Sequence, residues 1–141
     1  MEHHWDFSVR SYELDMNSHV NNANYLNYFE AARMDYLRET GFDFPSFFAD
    51  GYALYVSKIE VVYKAPAFLD DRLRVVTKPL ILKRASGVFD QSIYRGENLI
   101  CSGKITWACV NSKGRPAPIP EKYVVPGLHP DNRRINPLEA E

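Results

Sequence analysis

The spacing of apolar and polar residues changes several times along the chain, and each change marks an element. Over residues 5–14, Trp5, Phe7, Val9 and Ser11 share one parity and Asp6, Ser8, Arg10 and Tyr12 the other. That alternation predicts a half-buried strand. Residues 15–22 are turn-forming, with three Asn, one Asp and one Ser. From Ala23 a helical period takes over. Leu26, Phe29, Arg33 and Leu37 form one stripe and Tyr25, Phe29, Ala32 and Tyr36 its neighbour. This predicts a helix of about four to five turns. Asn21 or Asn22 is the expected N-cap and Gly41 the expected stop. So wide an apolar stripe calls for protein on most sides.

Residues 42–51 read as a loop with aromatic anchors. Four strand patterns follow. In 53–64, Tyr55, Ile59, Val61 and Tyr63 oppose Lys58, Glu60 and Lys64, and Pro66 ends the run. In 72–82, Leu73, Val75 and Ile81 oppose Arg72, Arg74 and Lys78, and Pro79 demands an edge or a bulge. Residues 86–95 follow a short turn at Arg84-Ala85, and Gly96-Glu97-Asn98 makes the next tight connection. Over 99–110, Leu99, Cys101, Gly103, Ile105, Trp107 and Cys109 share a face. Short connections predict antiparallel hairpins. The order predicts an α+β fold: an antiparallel five-stranded sheet wrapped around one long central helix. A single domain is expected over 1–125, followed by a Pro-containing, loosely ordered tail over 126–141.

Composition narrows the function classes. The 141 residues carry 17 Lys+Arg against 18 Asp+Glu, a net charge of -1, which argues against nucleic acid as a partner. Nine Tyr, eight Phe and two Trp supply a large rigid apolar surface. With no apolar run near ~20 residues and no signal-like start, neither a membrane partner nor export is expected, and the expected location is cytoplasmic. Cys101 and Cys109 read as reduced core residues, because eight strand residues span roughly 26 Å. The four His lack H-E-x-x-H or paired Cys spacing, so no metal is expected. The absence of G-x-S-x-G disfavours a Ser-His-Asp hydrolase.

The segment DMNSHVNNANYLNYFEAAR carries the most specific signal. Asp15, then His19-Val20-Asn21-Asn22, Tyr25-Leu26 and Tyr28-Phe29-Glu30-Ala31-Ala32-Arg33, resembles the loop and central helix of hotdog-fold acyl-CoA thioesterases of the 4-hydroxybenzoyl-CoA thioesterase type. Tyr63-Lys64-Ala65-Pro66 with Asp70-Asp71, and Trp107 to Val110 with Gly114-Arg115-Pro116 and Ile119-Pro120, are similar to that family's strand exits. The resemblance implies hydrolysis of an acyl-CoA thioester with no metal and no cofactor, in a homodimer or homotetramer whose sites lie between subunits. It implies that Asp15 is the catalytic carboxylate and that the backbone N–H near Asn22 polarises the carbonyl. His19 is a candidate to orient water. Asn21, Tyr25, Ser57 and Glu30 are candidates to contact substrate, and Lys58, Lys64, Lys83, Arg84 and Arg115 to meet the phosphates of coenzyme A. Many members carry Gly where this chain has Ser18, which leaves the turn type open.

The chemistry is self-consistent. A helix N-terminus offers unspent N–H groups and partial positive charge to a developing oxyanion. A carboxylate one turn away can attack the carbonyl or activate water. Two alternatives have different requirements. A non-catalytic acyl-binding hotdog protein keeps the pocket without needing Asp15. The segment Asp15-x-Asn17-x-His19 superficially resembles the motif of a hotdog hydratase or dehydratase, but its His spacing is one residue shorter than that motif's.

Overall fold

The computed structural model describes residues 2–130. Strand β1 (His3–Ser8) is followed by a 3-10 turn (Ser11–Glu13), helix α1 (Asn24–Glu39) and a short helix α2 (Phe44–Ala49). Strands β2 (Ala53–Tyr63), β3 (Arg72–Leu82), β4 (Ser86–Arg95) and β5 (Asn98–Val110) come next, then 3-10 turns at Glu121–Tyr123 and Pro126–Leu128. All five strands form one antiparallel sheet in the order β1-β3-β4-β5-β2.

Helix α1 packs against one face of this sheet. Tyr25, Tyr28, Phe29 and Ala32 join Leu73, Val75, Ile93, Cys101 and Ile105 in one buried cluster. Tyr36 and Leu37 join Phe47, Phe89, Trp107 and Leu128 in a second. Phe29 lies over Gly103: a Cβ built there would sit 3.0 Å from the Phe29 ring. Glycine on β5 thus lets a large aromatic ring reach the sheet. The helix ends as expected at Gly41 (φ 95°). The Phe42 N–H donates to the Leu37 carbonyl and the Gly41 N–H to the Arg38 carbonyl, the paired bonds of a Schellman stop. Cys101 and Cys109 are buried free thiols, as expected.

Several expectations change. The first strand stops at Ser8, because the chain then turns to bury Glu13. The helix starts at Asn24 with Ala23 as its cap and no side-chain cap, so neither Asn21 nor Asn22 fills that role. Residues 44–49 are helical rather than loop: the Asp43 carboxylate accepts the Ser46 N–H, and Phe47 is fully buried. Strand β2 does not form a hairpin with β3. It pairs with β5 on the far side, so its outer edge is open and most of it is exposed. Pro79 does sit at a bulge, beyond the six residues of β3 that β1 covers. The extra residue reverses side-chain parity after it, and Ile81 is exposed rather than core. Order also extends past residue 125, since Gly127 and Leu128 are buried; residues 131–141 of the expected tail lie outside the described residues.

Candidate functional site

The segment between β1 and α1 is built on a buried carboxylate. Glu13 accepts hydrogen bonds from the Arg10 backbone N–H (2.9 Å), from Arg10 Nε (2.8 Å) and Nη2 (2.5 Å), and from the Tyr28 hydroxyl (2.8 Å). Burial works against its charge, but these donors hold its carboxyl below the ordinary value of 4.5. The Glu13 carbonyl then accepts the Asn21 N–H (2.8 Å) and Asn24 Nδ2 (3.0 Å), which fastens both ends of the following loop.

Asp15 stands at the start of that loop. Leu14 and Val20 pair across it, the Asp15 N–H donates to the His19 carbonyl (2.7 Å), and the Ser18 N–H donates to the Asp15 carbonyl (3.0 Å). Ser18 itself takes the left-handed conformation, φ 64°, that a glycine would adopt, so the departure at this position leaves a tight turn intact. Asp15 Oδ1 accepts the N–H groups of Asn17 (2.8 Å) and His19 (3.4 Å). Among the described residues Oδ2 has no hydrogen-bond partner. One oxygen is anchored and the other is available for chemistry.

The helix entry leaves one amide similarly unspent. The Ala23 N–H donates to Asn21 Oδ1 (2.9 Å) and the Asn24 N–H to the Asn21 carbonyl (2.8 Å). Between them, the Asn22 N–H has no partner among the described residues. Asp15, His19, Asn22 and Tyr25 all line one surface cleft of about 320 Å³, together with Val20, Tyr63, Lys64, Ala65 and Pro66. The His19 ring stands edge-on to Phe68, 5.0 Å between centroids. Tyr25 is buried, accepts the Ala67 N–H (3.2 Å) and packs on Tyr63; burial pushes its phenol up.

The cleft therefore gathers a half-anchored carboxylate, a spare amide at a helix entry, a histidine and a cation. Most of the chain carries a known signature: residues 9–125 match the profile of the Thioesterase-like superfamily. The chain belongs to that superfamily. It is a thioester hydrolase of the hotdog fold. The long-chain acyl-CoA thioesterase FadM of Escherichia coli is 36% identical over 112 residues, covering 77% of this chain and 83% of FadM. The acyl-CoA thioester hydrolase YbgC of Escherichia coli O6:H1 is 33% identical over 122 residues, covering 85% and 91%. The crystal structure of a probable thioesterase from Bartonella henselae superposes with a TM-score of 0.79 at 29% identity, over 85% of this chain and all of that one.

Three expected site residues lie elsewhere in the single chain. Asn21 does not line the cleft; its side chain and carbonyl shape the helix entry. Ser57 sits at the bulge of β2 with its hydroxyl donating to the Thr106 carbonyl (3.4 Å). Glu30 is exposed two turns into the helix. Glu13 and Tyr63 were missed as site-shaping residues. Arg10 three residues before Glu13 was a local signal for the first; the second stood at the head of the strand exit Tyr63-Lys64-Ala65-Pro66, a motif that gave its hydroxyl no role.

One group of side chains close enough to hold an ion is formed by His3, Asp35 and Glu39. His3 Nε2 lies 2.8 Å from Asp35 and 3.5 Å from Glu39. Asp35 lies eleven helical steps beyond Asn24, about 16 Å along α1, so this group stands apart from the cleft. It reads as a link between β1 and the helix.

Proposed function

We propose that this protein hydrolyses an acyl-CoA thioester to the free acid and CoA in the cleft beside the entry of α1. The supporting observation is the convergence of the Asp15 carboxylate and the unspent Asn22 N–H in one cleft. The thioester carbonyl oxygen takes the Asn22 N–H, and the helix entry behind it favours the negative charge that develops there. A preorganised donor of this kind is worth about 3–4 kcal/mol of barrier. Asp15 acts through Oδ2, either adding to the carbonyl carbon or taking a proton from an attacking water. When Asp15 adds, the C–S bond breaks, the thiolate leaves and is protonated, and water then cleaves the resulting anhydride to free the acid and restore the carboxylate. When Asp15 acts as base, water adds directly and the same C–S bond breaks, so either route consumes one water. His19 orients that water, and the reaction as proposed uses no metal and no cofactor. Lys64, the cation lining the cleft, meets the anionic part of coenzyme A.

The working unit is a homodimer or a homotetramer built from such dimers. Strand β2 carries exposed Tyr55, Val56, Ile59, Val62 and Tyr63 on an unpaired edge, and such an edge calls for a partner. Pairing of two copies there makes a ten-stranded sheet. Ser57 lies on that edge and contacts substrate across such an interface. A cytosolic location fits the two unpaired buried cysteines.

A panel of short, long and aromatic acyl-CoAs with thiol detection tests the proposal. Release of free thiol from at least one class is expected. Tight binding with no thiol released overturns it in favour of a non-catalytic acyl-binding protein. Loss of enoyl-CoA absorbance without thiol release overturns it in favour of a hydratase.

A further inference from the structure

Tyr63 stands at the last position of β2, half-exposed, with its ring edge-on to Tyr25 at 5.4 Å. Its hydroxyl donates to the carbonyl of Asn22 at 2.9 Å, a contact 41 residues away in sequence. That carbonyl belongs to the peptide linking Asn22 to Ala23, and the N–H of the same peptide donates to Asn21 Oδ1. The plane is thus held at both ends. The preceding plane, between Asn21 and Asn22, is held at one end, since the Asn21 carbonyl accepts the Asn24 N–H. Its other end is the unspent Asn22 N–H.

Resting on the hydrolase reading above, we infer that Tyr63 is a positioning residue for the carbonyl-polarising amide. It touches no reacting atom. It clamps the peptide that follows Asn22, and Asn21 clamps the same peptide from the other side, so that the backbone next to the spare amide is fixed while the Asn21 carbonyl fixes the amide's own plane. Donor direction matters because an oxyanion donor acts only when it is aimed at the oxygen in the transition state. Without the clamp the Asn22–Ala23 plane is free to turn toward water, the Asn22 Cα loses its fixed neighbour, and the plane that carries the Asn22 N–H is held only at the Asn21 carbonyl.

The test compares wild type with Tyr63→Phe, which keeps the ring against Tyr25 and removes only the hydroxyl. One neutral hydrogen bond is worth roughly a 2- to 12-fold change in rate. The expected result is a fall in kcat of that size, with KM unchanged and a thermal midpoint lowered by no more than about 2–6 °C. The backbone ¹⁵N order parameter is expected to fall at Asn22 and Ala23 but not along α1. Unchanged kcat and unchanged order parameters overturn the inference. So does a rise in KM at constant kcat, which makes Tyr63 a substrate contact instead. A loss of midpoint accompanied by disorder throughout α1 also overturns it, because the hydroxyl then serves the fold. Failure of the hydrolase reading is distinguishable: wild type then releases no thiol, whatever the order parameters of the variant show.

Discussion

Glu13→Gln isolates the feature on which the candidate site is built. The side chain is 6% exposed and accepts four hydrogen bonds, three of them from Arg10. Glutamine has the same shape, and one oxygen can still serve the Arg10 N–H and the Tyr28 hydroxyl. Its amide nitrogen, however, would face the Arg10 guanidinium donor to donor. Breaking a buried ion pair costs about 3–5 kcal/mol. Arg10 is 47% exposed, and solvent screening cuts that figure, so we expect about 2 kcal/mol. For a domain of this size that lowers the thermal midpoint by about 6–8 °C. The pH dependence follows from the depressed carboxyl. Because the folded value lies below the ordinary 4.5, the contribution is complete above about that pH and is lost as pH falls through the folded value. Thermal unfolding of both proteins by circular dichroism at pH 7, 5.5 and 3.5 reads this directly. The gap should be equal at pH 7 and 5.5 and narrower at pH 3.5. Equal midpoints at pH 7, or a gap that is the same at all three values, refutes the assignment of Glu13 as the charged anchor of the loop.

Other expectations concern the cleft and the sheet. Lys64→Ala should raise KM for an acyl-CoA by roughly fivefold, about 1 kcal/mol, with kcat little changed and the salt dependence of KM reduced; an unchanged KM would remove Lys64 from substrate recognition. Gly87→Ala would place a Cβ 2.4 Å from Trp107 Cζ2 and 2.7 Å from the Ile81 carbonyl, where the backbone has no room to yield. We expect a loss of about 2–3 kcal/mol in urea unfolding, and a wild-type midpoint would contradict the packing of β4 against β5.

The pattern of the chain carried much of this architecture but not its exceptions. Strands β3 and β4 have the bounds their alternation predicts, and α1 runs to the stop that Gly41 marks. Ile81 escaped because parity survives only until a bulge, and Pro79 allowed an edge or a bulge without deciding between them or showing which residue is extra. The partner of β2 escaped because alternation states which face is apolar, not which neighbour supplies the hydrogen bonds. The candidate site divides in the same way. Asp15, His19, Asn22 and Tyr25 meet because all lie within one short turn and the helix entry it feeds. Tyr63 reaches the same place only through the sheet, across 41 residues, and Glu13 reads as a surface charge until Tyr28 and Arg10 close over it.

The central claim is that the Asp15 carboxylate performs the hydrolysis. The most direct measurement is thiol release from an accepted acyl-CoA by wild type and by Asp15→Asn at the same pH, with circular dichroism and oligomeric state recorded for both. Asparagine can keep the Oδ1 contacts to the Asn17 and His19 amides while losing the charge. The account predicts an intact fold, an unchanged assembly and no measurable turnover in the variant. Turnover near the wild-type rate in a folded Asp15→Asn protein would contradict it.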